Sequence, residues 1–215
     1  MKNFIVATLL AGTAFNASAQ AILEPPAKTI ECGKVEVTGI VLSPKGDNIL
    51  VLHDKGAELR DLETGKRLMD FPYNEDGTST VYKGLFNDNG EYVVLIGFAG
   101  TREVWDVKTG KQDKMLAQQR WIPDAIRTRE MGLKKGNSDF DRYYQQTRAE
   151  LADLVAHSEK EGAVAFTDEH GNILQTLTFP TNKDKHHLSP CVFMDGQFVT
   201  GTDDGRVLFY DLAKP

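Results

Sequence analysis

One short pattern recurs four times in this chain. It reads Leu59-Arg60-Asp61-Leu62 followed by Thr64-Gly65-Lys66, Val104-Trp105-Asp106-Val107 followed by Thr109-Gly110-Lys111, Phe166-Thr167-Asp168 followed by Gly171-Asn172, and Phe209-Tyr210-Asp211-Leu212. Each copy is an apolar strand ending at an aspartate, and the first three run on into a glycine turn. The aspartates stand at 61, 106, 168 and 211, so successive copies are 45, 62 and 43 residues apart. A period of roughly 40–45 residues is the length that one blade of a propeller occupies. The repeat therefore argues for small stacked sheets, and for binding as the style of function.

Alternation between the aspartates supports antiparallel sheet. In the first copy, strands are expected over residues 29–37, 39–42, 48–53, 57–61 and 66–71, with turns at Ser43-Pro44-Lys45-Gly46, Asp54-Lys55-Gly56 and Thr64-Gly65. The second copy repeats this order over residues 82–86, 92–97, 102–107 and 111–116. In the third, residues 163–168 read as the third strand of a blade and residues 173–179 as the outermost. The last copy, residues 190–212, stops at its aspartate and lacks an outermost strand. Residues 29–37 are the available substitute, so the N-terminal strand is expected to complete the last blade.

These motifs resemble WD40-type repeats. Leu59-Arg60-Asp61 with Thr64-Gly65-Lys66 and Val104-Trp105-Asp106 with Thr109-Gly110-Lys111 are the closest matches, and Ser43-Pro44-Lys45-Gly46 looks like the turn between a blade's two inner strands. The resemblance covers residues 35–116 strongly and 163–215 weakly. Only one copy carries Trp before Asp, and the Gly-His element of the family is absent. The resemblance implies an all-β fold: a small or partial β-propeller of about four WD40-like blades with a helical insertion, acting as a protein-binding module.

The insertion is residues 117–162, where the strand pattern lapses. Phe140, Tyr143, Tyr144, Thr147, Leu151, Leu154 and Val155 recur at helical spacing, within about 120° of arc. The expectation is an amphipathic helix capped by Asn137 or Ser138 and ending near Gly162. Its aromatic face is either core or, with Trp121, a surface for a partner, since aromatic side chains supply binding hot spots. Trp121, Phe140, Tyr143 and Tyr144 are the candidate partner-binding residues.

Residues 1–19 read as a signal peptide: Lys2 as the positive start, an apolar run over residues 4–15, and Ala17-Ser18-Ala19 as a cleavage site. The run is too short to span a bilayer, and no later segment is apolar enough to do so. The mature domain, residues 20–215, is expected in the periplasm or secreted. Export makes the two cysteines, Cys32 and Cys191, a candidate disulfide. A bond across the blade seam would close a loop of 159 positions, a constraint of roughly 4–5 kcal/mol in the chain-entropy picture.

A formal charge of −6 disfavours nucleic acid and anionic membrane surfaces. His186, His187, His170 and Asp184 invite a metal reading, and Thr202-Asp203-Asp204-Gly205 a calcium one, but neither has ligand spacing; a polar loop and a hairpin turn are the expectations. No phosphate loop, nucleophile elbow or zinc-protease helix occurs. Cys191 with His187 is a formal nucleophile and base, set against a disulfide role. Repeated Asp61, Asp106, Asp168 and Asp211 read as turn-forming residues. No catalytic residue, cofactor or metal is assigned. The reading is an exported, non-enzymatic protein-binding propeller: a scaffold, accessory or inhibitor/immunity-type binder. The alternative is a propeller enzyme or small-ligand binder with a site in the central channel. Homo-oligomerisation is a further outcome if the ring is incomplete.

Overall fold

The structure is a computed structural model, and it describes residues 22–23, 25–74, 79–97, 102–118, 146–181 and 183–213. Four antiparallel sheets of four strands each make up the described residues. Blade 1 is β2 (Val37–Leu42), β3 (Asn48–His53), β4 (Gly56–Asp61) and β5 (Arg67–Phe71). Blade 2 is β6 (Val81–Phe86), β7 (Tyr92–Gly97), β8 (Arg102–Asp106) and the two-residue β9 (Lys111–Gln112). Blade 3 is β10 (Arg148–Leu151), β11 (Leu154–Ser158), β12 (Val164–Thr167) and β13 (Ile173–Leu177). Blade 4 is β14 (Cys191–Met194), β15 (Gln197–Gly201) and β16 (Arg206–Asp211), completed by the N-terminal β1 (Lys28–Glu31).

Hydrophobic patterning explains the stacking. Ile49, Val51, Leu50 and Leu52 on β3 are all essentially fully buried, because the strand is covered on both faces. Leu50 and Leu52 pack with Val93 and Leu95 of blade 2. Ile49 and Val51 pack with Val199, Val207 and Phe209 of blade 4. Blade 3 meets blade 4 through Phe166 and Phe198, whose rings stand edge to face at 4.8 Å. The far face of blade 2, with Val94, Ile96 and Val104, is packed by Leu116 and Ala117 of the short helix α1 (Lys114–Gln118). Asp113 Oδ1 caps that helix by accepting from the Leu116 N–H at 2.9 Å. The outer strand expected over residues 111–116 is thus shortened to two residues and replaced by a helical turn.

The seam closes as the missing strand implied. β1 pairs with β16 in the register Lys28↔Phe209 to Glu31↔Arg206. Upstream, Leu23 bridges Leu212, and Gln175 Oε1 accepts both the Ile22 and Leu23 N–H groups. The N-terminal segment therefore ties blade 3 to blade 4. The disulfide expectation is overturned: Cys32 and Cys191 are both free thiols. Cys191 is opposite Thr200, Thr200 opposite Leu208, and Leu208 opposite Thr29. Three strand-to-strand steps of about 4.8 Å separate the two edges of the sheet, before the three further residues to Cys32. A disulfide needs Cα atoms within about 7 Å. Both cysteines belong to the seam blade, but at opposite edges of it.

The helix expected from residue 137 to near Gly162 is also corrected where the structure describes it. Thr147 to Val155 form no helix; Leu151 pairs with Leu154 across a tight turn, and the hairpin supplies the two inner strands of blade 3. A 3-10 turn, Lys160–Gly162, follows. Trp121, Phe140, Tyr143 and Tyr144 lie outside the described residues, as do residues 1–21. The expectation for residues 163–179 holds, since β12 and β13 are the third and fourth strands of their sheet.

Candidate functional site

The connections between strands fall on two rims of opposite character. On one rim lie the hairpins from second-to-last to outermost strand and from first to second strand. Ser43 accepts from the Gly46 N–H at 2.9 Å, and Asn87 accepts from the Gly90 N–H at 3.0 Å, at equivalent places in blades 1 and 2. Asp61 accepts from the Thr64 N–H and Asp106 from the Thr109 N–H, both at 2.7 Å. Asp168 takes the His170 and Asn172 N–H groups at 2.9 and 2.8 Å. These bonds hold the three carboxyls below the usual carboxylate range: chiefly the Thr64 hydroxyl for Asp61, the Thr109 backbone for Asp106 and the Asn172 side chain for Asp168. The turn-forming role expected of these aspartates is what the geometry gives them. Asp211 differs: it accepts from Gln197 Nε2 across the hairpin at 2.7 Å.

The opposite rim carries the outer-to-inner crossovers and the β3–β4, β11–β12 and β15–β16 turns. Here residues from blades 1, 3 and 4 interlock. Residues 32–36 lead from β1 into β2, and Val37 N–H donates to Thr202 O at 3.1 Å. Asp54 Oδ1 accepts from the Glu36 N–H at 2.9 Å, while the Asp54 N–H donates to Glu36 O at 3.1 Å. The long crossover from β13 to β14 folds over this pair. Asp203 Oδ2 accepts from the backbone N–H groups of Lys183 and Asp184, and Asp184 Oδ1 accepts from the His186 N–H at 2.8 Å. His187, 3 % exposed, lies with Nδ1 2.9 Å from Glu36 Oε1. A carboxylate only accepts, so the imidazole donates from Nδ1.

Asp204 anchors the β15–β16 turn. Burial pushes its carboxyl upward, but hydrogen bonds from Arg206, Thr181 and Thr202 outweigh that and bring it to about 2. Arg206 Nε donates to Asp204 Oδ1 at 2.9 Å and Thr181 Oγ1 to Oδ2 at 2.6 Å. Thr202-Asp203-Asp204-Gly205 is thus the hairpin turn that the sequence indicated. Asp203 itself is buried, and its Oδ1 has no hydrogen-bond partner; the same holds for His187 Nε2.

A cleft of about 270 Å³ opens on this rim where blades 4 and 1 meet. Glu36, Asp54, Asp184 and Asp203 line it, against Lys34 and Lys183. A second, of about 380 Å³, lies beside Lys160, Glu161, Lys185 and His186. His170 is on the other rim, in the β12–β13 turn, so the structure does not bring it to His186 and His187. Cys191 is buried and its thiol is held in the protonated form. Its thiol donates weakly to Ser189 O at 3.7 Å, and burial pushes it up to about 12. Burial, and then hydrogen bonding to Glu58, push the Cys32 thiol up as well.

Sequence reasoning considered Asp184, His187 and Asp203 for a metal but missed Glu36 and Asp54, and among the described residues no His, Cys, Asp or Glu grouping fit to hold a metal occurs. It also missed Gln146. That side chain crosses to blade 1, where its Oε1 accepts from the Ile40 N–H at 2.7 Å and its Nε2 donates to Ile40 O at 2.8 Å. The Gln146 carbonyl accepts from the Cys191 N–H at 2.6 Å. One residue thus ties together the inner strands of blades 1 and 4 at the start of blade 3.

The described residues form an all-β, propeller-like arrangement of four-stranded antiparallel sheets. Solved structures to which the chain is similar include the RRP9 WD40 repeats and U3-55K, each at 11 % identity and a TM-score of 0.37, covering 86 % of this chain and 56 % of that one. The computationally designed Ika8 protein is similar at 19 % identity and a TM-score of 0.30, over 82 % of this chain and 46 % of that one. The chain spans about half the length of these structures. No family model matches it, and no curated protein does.

Proposed function

We propose that the chain is an exported, non-enzymatic propeller that binds another protein through the crossover rim. The observation that carries this reading is the contrast between the rims. Among the described residues, the hairpin-rim aspartates Asp61, Asp106 and Asp168 are satisfied within their own turns, whereas the crossover rim holds two clefts and the buried unpartnered atoms of Asp203 and His187. Buried polar atoms without partners are costly and mark places where structure has been kept for something other than stability. A scaffold, accessory or inhibitor/immunity role would use such a rim. A channel ligand gains less support, because both amide atoms of Gln146 are spent on Ile40 at the inner strands.

Cross-linking in the exporting cell tests the proposal. Photoreactive groups placed at Lys34 and Lys185 on the crossover rim should capture a discrete partner, and groups at Lys45 and Lys66 on the hairpin rim should not. Equal capture from both rims, or none, would refute it. Export is tested on the same material: the mature protein should begin at Gln20, and a retained Met1 would end that part of the proposal.

A further inference from the structure

We propose that the seam between blades 3 and 4 fixes the order of processing and folding: the leader of residues 1–19 is removed before the N-terminal segment docks, and a chain that docks first is protected from removal. This rests on the export reading above and goes beyond it, since export alone does not say which event comes first. The expected scissile bond is Ala19–Gln20. The peptidase adds water across that amide, leaving a carboxylate on Ala19 and an amine on Gln20. Only Gln20 and Ala21 separate this bond from the first anchored residue, Ile22. Two residues span at most about 7 Å when fully extended.

The anchor holds the backbone from Ile22 onward. The Ile22 and Leu23 N–H groups both donate to Gln175 Oε1, at 2.8 and 3.0 Å. Ile22 O accepts from the Ala213 N–H at 2.7 Å, and the Ala27 N–H donates to Phe209 O at 2.8 Å. Leu23 bridges Leu212 and is 4 % exposed, packed in the cluster that holds Phe166, Leu208 and Tyr210. An extended peptide is gripped largely through its main-chain N–H and C=O groups, and an endopeptidase grips its substrate on both sides of the bond it cuts. Ile22 and Leu23 cannot give those groups to a peptidase and to the seam at once. The connectivity supplies the delay. Gln175, on blade 3, is 152 residues beyond Leu23, and Leu212, on blade 4, is further still. The N-terminal segment is made first, yet its docking site exists only once both of the last two blades are present. The bond is therefore open while the chain is crossing, and it closes when the fold is complete. After that, cutting proceeds only through transient opening of the seam.

Cleavage of the full-length precursor, residues 1–215, tests this order. In detergent micelles with the signal peptidase of the exporting cell, precursor diluted from urea directly onto the enzyme is compared with precursor folded beforehand. The folded chain should be cut at least about tenfold more slowly. Gln175→Ala removes the acceptor for both anchoring N–H groups and should speed cutting of the folded chain at least about threefold, whereas Gln175→Glu keeps a carboxylate oxygen there and should retain the protection. Six Gly-Ser residues inserted between Ala21 and Ile22 leave every seam contact in place but move the bond away from it. That insertion should bring the folded chain to the unfolded rate, and it carries the test if Gln175→Ala does not fold. The same six residues added after Pro215 should change nothing. Equal rates for folded and unfolded wild type, or protection that survives the insertion at Ala21, would overturn the proposal and leave the export reading standing. Failure to cut even the unfolded precursor at Ala19 would end both.

Discussion

The two rims are built on the same strands, yet only one of them is repetitive. On the hairpin rim, Asp61, Asp106 and Asp168 each accept backbone N–H groups two to four residues ahead, so each of these three turns is closed by its own residues. On the crossover rim, contacts reach across the chain: His187 meets Glu36, Thr181 meets Asp204, and Val37 meets Thr202. Local turns can be specified copy by copy. A surface assembled from three blades is specified only once, and among the described residues it holds two clefts and the unpaired buried atoms of Asp203 and His187.

Glycine substitutions break that contrast most sharply. Gly205 and Gly171 both have positive φ, 89° and 82°. A methyl group at Gly205 would lie 1.9 Å from Gly33 O, whereas nothing lies within 4 Å of one at Gly171. Gly171→Ala should cost about 1 kcal/mol, the penalty of the left-handed conformation alone. Gly205→Ala adds a collision with backbone and should cost about 3 kcal/mol or more. Urea denaturation of the two variants measures the difference. Equal losses would mean that the rims are equally tolerant.

Much of this architecture is legible in the sequence, and the exceptions have physical causes. The strands of blades 1, 2 and 4 follow from alternation bounded by Gly and Asp turns, and the pairing of β1 with β16 follows from a last copy one strand short. Blade 3 was only half legible. Arg148 to Gly162 is rich in Ala, Glu, Leu and Lys, which favour helices, and Leu151, Leu154 and Val155 are spaced as on one. Tertiary pairing overrides that preference, because β12 needs an inner neighbour and Ala156 and Phe166 sit opposite one another in the core. The cleft was not legible at all as a unit. Glu36, Asp54, Asp184 and Asp203 are ordinary polar residues in four separate loops, and only the seam brings them together.

An acid titration sharpens the comparison next. Asp204 titrates at about 2, below the ordinary value for Asp of about 3.9. A depressed folded value means that the ionised form is favoured in the native state. Its contribution is therefore complete above about pH 4 and is lost as the pH falls toward 2. Asp204→Asn should remove that part of the pH dependence of stability and loosen Thr181 and Arg206. Side-chain carboxyl NMR should find Asp204 titrating near 2. An Asp204 carboxyl titrating at its ordinary value would show that the clamp does not form in solution.

The smallest effect concerns the turn that hid blade 3. The β10–β11 hairpin has a two-residue loop, Ala152-Asp153, in which Ala152 has positive φ and Asp153 does not, and such a loop favours Gly at its first position. Ala152 adopts φ 49° and is exposed. For an L residue other than Gly, Asn or Asp, that conformation costs about 1–2 kcal/mol. Ala152→Gly removes the steric cost but makes the unfolded chain more flexible, which takes back about 0.4–1 kcal/mol. A net gain of about 0.5 kcal/mol is expected, read as a rise in the urea midpoint without a change in slope. Ala152→Asn should gain a smaller amount, because Asn tolerates positive φ better than Ala. A loss of stability in both variants would argue that residues 148–158 do not form the hairpin, and would return that segment to the helix its composition suggests.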